Sequence, residues 1–162
     1  MPHRSGSTQR APQLYTDAER ARRDATYWTL IQGLLAPLQF VVFLISLVLV
    51  LRYLTTGDGY VIATQSVVAK TALLYLIMVT GAIWEKVVFG QYLFADAFFW
   101  EDVFSFGVIF LHTLYLYGLF LSDWTPATLM WIALAAYAAY VVNAAQFVLK
   151  LRRARLDAGA PA

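Results

Sequence analysis

The chain has 162 residues, is 60% hydrophobic and only 14% charged, and carries a formal net charge of +2. Soluble domains carry about 25% charged residues, so an ordinary soluble fold is excluded. The sequence contains no cysteine, which removes disulfides, thiolate metal sites and cysteine catalysis. Its basic residues gather at the two ends without a basic face or a fold to match, so no nucleic-acid partner is expected.

In chain order, residues 1–15 are polar and are expected to form a disordered tail. In TDAERARRDATYW, Thr16 is a plausible N-cap, with Glu19 three positions on as in a capping box. This segment is expected to be a short pre-membrane helix. The apolar run Leu34 to Leu51 is broken only by Pro37, Gln39 and Ser46. A signal-peptide core is roughly 7–15 residues, so this run reads as a retained span. About 20 apolar residues cross a bilayer as a helix. By that measure four spans are expected, near 29–52, 66–85, 102–121 and 127–149, in one domain of residues 16–156 followed by a tail, 157–162. GDG marks the turn between the first two spans, and the short SDWTP makes the last two antiparallel neighbours.

Ten of the twelve basic residues fall on one side: Arg4, Arg10, Arg20, Arg22, Arg23, Lys86, Lys150, Arg152, Arg153 and Arg155. Arg52 and Lys70 are left for the other. The positive-inside rule then places both termini in the cytoplasm, together with the connection 86–101. The expected fold is all-α: an integral membrane bundle of four transmembrane helices with both termini cytoplasmic. The connection KVVFGQYLFADAFFW is too apolar for a solvated loop and is expected to lie along the interface.

Polar side chains inside spans carry the functional signal. On the third span Glu101, Ser105, Val108 and His112 share one face, with His112 about 16 Å along the helix from Glu101. Gln39 faces inward with Phe43 and Ser46 on the first span, and Asn143 and Gln146 face together on the fourth. Gln39, Asn143 and Gln146 have two readings, as interhelical hydrogen bonds or as ligand contacts. His112 is either a satisfied core histidine or a functional intramembrane group. Glu101 and Asp102 open a helix, where the dipole favours anions, whereas Glu85 ends one, where it does not. Carboxyls in such opposed settings are how acid and base roles become divided.

The stretches IWEKVVFGQYLF, FFWEDVFSF and YVVNAAQFVLKLRRARL, with RRDATYWTLIQGLLAPLQF before them, resemble the 3-vinyl bacteriochlorophyllide hydratase family, called 2-vinyl in older ring numbering. The resemblance covers roughly residues 15–156. It implies a lyase of bacteriochlorophyll biosynthesis that adds water across the 3-vinyl group of chlorophyllide a or 3-vinyl bacteriochlorophyllide a. It also implies a multi-pass protein of the bacterial cytoplasmic or intracytoplasmic membrane. Association with other pigment-biosynthesis enzymes is plausible, because such intermediates are apolar and phototoxic when free.

For that reaction Glu85 is the expected general acid, and Asp102, or Glu101, the expected base. His112 is a candidate axial ligand to the magnesium of the pigment. Asn143, Gln146 and Gln39 are candidates for contacts to polar ring substituents, and Trp84, Trp100 and the aromatic connection for packing on the flat ring. No cofactor and no protein-held metal are expected; Mg²⁺ arrives only as part of the substrate. The alternative is a non-enzymatic pigment carrier, which would share the ring pocket without needing an acid pair. A bis-histidine cytochrome is excluded for a monomer, since the two histidines are His3 and His112. A small transporter is disfavoured by the lack of inverted repeats.

Overall fold

The computed structural model describes residues 14–159, with side chains through Leu156. Residues 1–13, with His3, Arg4 and Arg10 of the expected tail, lie outside the described residues, as do the side chains of the expected tail 157–162. Five helices make up the described chain: α1 (Asp17–Ala25), α2 (Tyr27–Thr56), α3 (Tyr60–Phe89), α4 (Phe99–Leu121) and α5 (Pro126–Gly159).

Helix α1 starts at the capping box that its sequence spacing predicts. Glu19 N–H donates to Thr16 Oγ1 at 3.3 Å, and Thr16 N–H donates to Glu19 Oε2 at 2.7 Å. Helices α2 to α5 are each long and apolar enough to cross a membrane, with mean hydropathies from 1.7 to 2.7 over the most apolar stretch. Their outward faces carry Leu34, Val48, Phe110, Phe120 and Trp131 in the open. In water such a surface would aggregate; in a bilayer it is solvated. The chain is a multi-pass membrane protein.

All four helices outrun the spans read from hydropathy at one end or both. Hydropathy marks where apolar residues stop, but a helix stops where its backbone is capped. For α2 that point is Gly57, in the left-handed region at φ 79°, whose N–H donates to Tyr53 O at 2.8 Å. Gly59 follows at φ 85°, so GDG reverses the chain with two residues that carry no Cβ penalty.

Helices α2 and α3 form one closely packed hairpin and α4 and α5 the other; the two hairpins meet more loosely, α2 on α5 and α3 on α4. The core between them is built from Phe43 and Val50 of α2, Val67 and Leu74 of α3, Val108 and Tyr115 of α4, and Met130 and Tyr137 of α5. A second, smaller core sits at the end where α3 finishes and α4 begins. There Tyr15, Val88 and Phe98 are buried together, and the Tyr15 ring stacks on Phe89 at 5.8 Å. Arg22 of α1 donates from Nε to Val88 O at 2.8 Å, satisfying a carbonyl in the last turn of α3. The N-terminal segment therefore braces the end of the bundle that carries Glu85.

Candidate active site

Helix α3 ends at Gly90, whose φ of 88° and N–H to Lys86 O bond (3.1 Å) close its last turn. Lys86 folds back onto the same terminus, donating from Nζ to Gly90 O at 2.7 Å. Glu85, about 100° round the helix from Lys86, turns inward and is 5% exposed. Across the α3–α4 seam Asp102, in the first turn of α4, is 3% exposed. The two carboxyl groups are neighbours across the seam, near enough to interact with one another. Among the described residues neither forms an ion pair.

The connection between α3 and α4 folds over this pair. Phe94 N–H donates to Asp102 Oδ2 at 2.6 Å, and the next N–H, of Ala95, donates to Glu85 Oε2 at 3.3 Å. Two successive amides can point the same way because Phe94 is held at φ 59°, the only non-glycine residue with positive φ among those described. Such a conformation costs an L-residue about 1–2 kcal/mol. The Phe94 ring is fixed against Phe106 (5.5 Å, stacked) and Phe99 (5.7 Å). Strain held by packing, at the point where two carboxyls are gripped, is the pattern of a functional site. Phe94→Asn, which tolerates the left-handed region, is therefore expected to unfold later than Phe94→Val by about 1 kcal/mol. Thermal unfolding of the two variants in detergent measures the difference.

Glu101 goes elsewhere. Its buried carboxylate pairs with Lys150 of α5, whose Nζ also donates to Ala97 O at 2.5 Å. The pair closes α5 onto the start of α4 beside an open cleft lined by Leu14, Gln146, Leu149 and Arg153. Of the three acids singled out by sequence, the fold thus brings Glu85 and Asp102 together and uses Glu101 as a tie between helices.

The remaining candidates divide in the same way. Trp84 donates its indole N–H to Thr29 Oγ1 at 2.9 Å and packs edge-on to Phe89 and Phe98, at 5.7 Å each, so it is part of the small core. Trp100 stands 65% exposed on the outer face of α4, next to Phe99. Asn143 donates to Ser105 Oγ at 2.8 Å, an interhelical bond, while its Oδ1 has no partner among the described residues. Gln146 Oε1 and Gln39 Nε2 are likewise buried and unpaired. His112 is fully buried; its Nδ1 bonds Val108 O at 2.8 Å, leaving Nε2 free, and its ring lies 5.9 Å from that of Tyr137. Ten residues separate Asp102 from His112, about 15 Å of helix, so the two do not act on one atom.

Lys70 requires a correction. Its charge is grouped above with Arg52, on the far side of the membrane, but its side chain is 0% exposed, ten residues inside α3, with Nζ 3.8 Å from the Tyr140 ring centroid. The signal was present, since a lysine within a span is a functional group by default. Counting it for topology hid it. The strained Phe94 gave no signal, because nothing in the sequence around it marks a left-handed residue. Among the described residues, no cluster of three or more His, Asp or Glu is placed to hold a metal ion.

Residues 15–153 match the family model described as 2-vinyl bacteriochlorophyllide hydratase. The chain belongs to the 2-vinyl bacteriochlorophyllide hydratase family. It is 72% identical over 146 residues to the 2-vinyl bacteriochlorophyllide hydratase of Cereibacter sphaeroides, covering 90% of each chain. To the protein of that name from Rhodobacter capsulatus it is 70% identical over 146 residues, covering 90% of this chain and 84% of the relative. No solved structure matches the chain. The span shared with the hydratase family takes in Glu85, the Phe94 connection, Asp102 and Lys70 alike.

Proposed function

We propose that this protein hydrates the vinyl group of a bacteriochlorophyllide or of chlorophyllide a, with Glu85 and Asp102 as its acid–base pair. The observation that carries the assignment is the buried carboxyl pair under the amides of Phe94 and Ala95. Two carboxyls this close and this buried hold one proton between them, because two adjacent anions are strongly disfavoured.

One shared proton is what the reaction needs. The protonated carboxyl, assigned to Glu85, gives its proton to the terminal vinyl carbon, and the π electrons of the vinyl group form the new C–H bond. The positive charge left on the inner carbon is delocalised into the macrocycle and stabilised by the Asp102 carboxylate. Water attacks that carbon, and its proton passes to Asp102. The product is the 1-hydroxyethyl group, and the pair again holds one proton. Transfer between the two carboxyls restores the starting state. Oxidation state, charge and proton count are all balanced by water alone, so no cofactor is required, and Mg²⁺ enters with the pigment as substrate.

The bundle suits a substrate that is part membrane-soluble. Tyr92, Phe94, Phe99 and Trp100, in the connection over the carboxyl pair and the first turn of α4, are exposed, and such aromatic residues favour the headgroup zone. A flat ring arriving from the bilayer would meet those faces first. With Lys70 inside the bundle, eight of the nine other basic residues among those described lie at the carboxyl-pair end, which supports a cytoplasmic position for that end and for both termini. The host membrane is the bacterial cytoplasmic or intracytoplasmic membrane, where other pigment-pathway enzymes are potential neighbours.

The test is conversion by membranes containing this chain as the only pathway protein, supplied with chlorophyllide a or 3-vinyl bacteriochlorophyllide a without oxygen. A product heavier by one water, with its red absorption band displaced to the blue, is expected. Pigment retained unchanged by correctly inserted protein would make the chain a carrier instead.

A further inference from the structure

Lys70 Nζ of α3 and His112 Nε2 of α4 are fully buried and have no hydrogen-bond partner among the described residues. The rings of Tyr140, Phe43 and Tyr137 connect them: Lys70 lies over Tyr140, Tyr140 touches Phe43 at 5.0 Å, Phe43 meets Tyr137 at 5.4 Å, and Tyr137 lies beside His112. Because Nδ1 of His112 faces the carbonyl of Val108, which only accepts, Nδ1 carries the hydrogen and Nε2 presents a lone pair. The interior therefore offers donors at Lys70 and an acceptor at His112. Towards the carboxyl pair the series continues with Gln39 Nε2, a donor, and Asn143 Oδ1, an acceptor, both buried and unpaired. Asn143 is tied to Ser105, one turn of α4 from Asp102.

A bound anion would satisfy only the donors. A cation would satisfy only the acceptors and would leave the N–H groups of Lys70 and Gln39 without a partner. Water satisfies both, since it accepts from Lys70 or Gln39 and donates to His112 or Asn143. We infer that the interior of the bundle holds bound water, anchored between Lys70 and His112 and extending past Gln39 and Asn143 towards Asp102. Resting on the hydratase reading, this chain of water supplies the second substrate from within the protein and keeps the aromatic face free for the pigment.

Hydroxyl-radical footprinting of the purified protein in heavy-oxygen water tests the inference without reference to activity. Radicals form on the bound water itself, so His112, Tyr137 and Tyr140 should take up the heavy oxygen despite their burial. Met130, also fully buried and intrinsically more reactive, sets the background. Labelling of the three residues no greater than that of Met130 would overturn the proposal, and this measurement needs no variant. In Lys70→Met the label at His112 and Tyr140 should fall about tenfold. The same variant should lower kcat for hydration about tenfold while leaving KM for the pigment within about twofold. A variant that loses the label yet keeps full kcat would remove the supply role and leave the water site. Wild-type protein that carries the label but hydrates no vinyl pigment would instead count against the hydratase reading alone.

Discussion

Glu85→Gln is expected to lower vinyl hydration by about 10²- to 10⁴-fold, the usual contribution of a positioned general acid. Gln has the shape of the acid and can still accept from Ala95 N–H, so thermal unfolding should move little. Asp102→Asn is expected to cost a similar factor, because the remaining Glu85 loses its proton-sharing partner and the developing cation loses its counter-charge. The two losses should not add: once the shared proton is gone, removing the second carboxyl takes away a function already lost. Rates for the two single variants and the double variant, measured with the same membranes, check this. Independent, multiplying losses would mean that the carboxyls act separately.

The second large effect is on stability. Lys150→Met is expected to destabilise the protein by about 3 kcal/mol, since it leaves Glu101 buried with a charge and no cation. The double variant Glu101→Gln with Lys150→Met should recover most of that loss, because a neutral amide in the same place has far less desolvation to repay. The same double variant should hydrate the pigment at close to the wild-type rate. Unfolding midpoints in detergent and a parallel hydration assay separate the two roles. Loss of activity in a double variant that folds normally would return Glu101 to the catalytic pair.

The contrast between Glu101 and Asp102 shows how far the sequence could be read. That three acids gather at the junction of α3 and α4 was legible, because Glu85 ends an apolar run and the other two begin the next one. Which of two adjacent residues meets Glu85 was not. Successive residues differ by about 100° around a helix, and the rotation of α4 is set by its packing on α5, where Lys150 claims Glu101. The shared face of Ser105, Val108 and His112 was legible from spacing alone, and all three are buried as that spacing requires. The grip of the connection on the pair was not, since it depends on one strained φ at Phe94 that tertiary packing imposes. Lys70 was visible as a lone lysine among apolar residues. Its pairing in space with His112 depends on how the hairpins meet, which no local pattern encodes.

Infrared spectroscopy of the carboxyl groups at neutral pH tests the central claim most directly, because it reads the shared proton itself. The wild-type protein in lipid should show the carbonyl stretch of one protonated carboxylic acid; that band should shift in each of Glu85→Gln and Asp102→Asn and be absent when the two substitutions are combined. A wild-type spectrum with only carboxylate bands, or a protonated-acid band that survives the combined substitutions, would contradict the account.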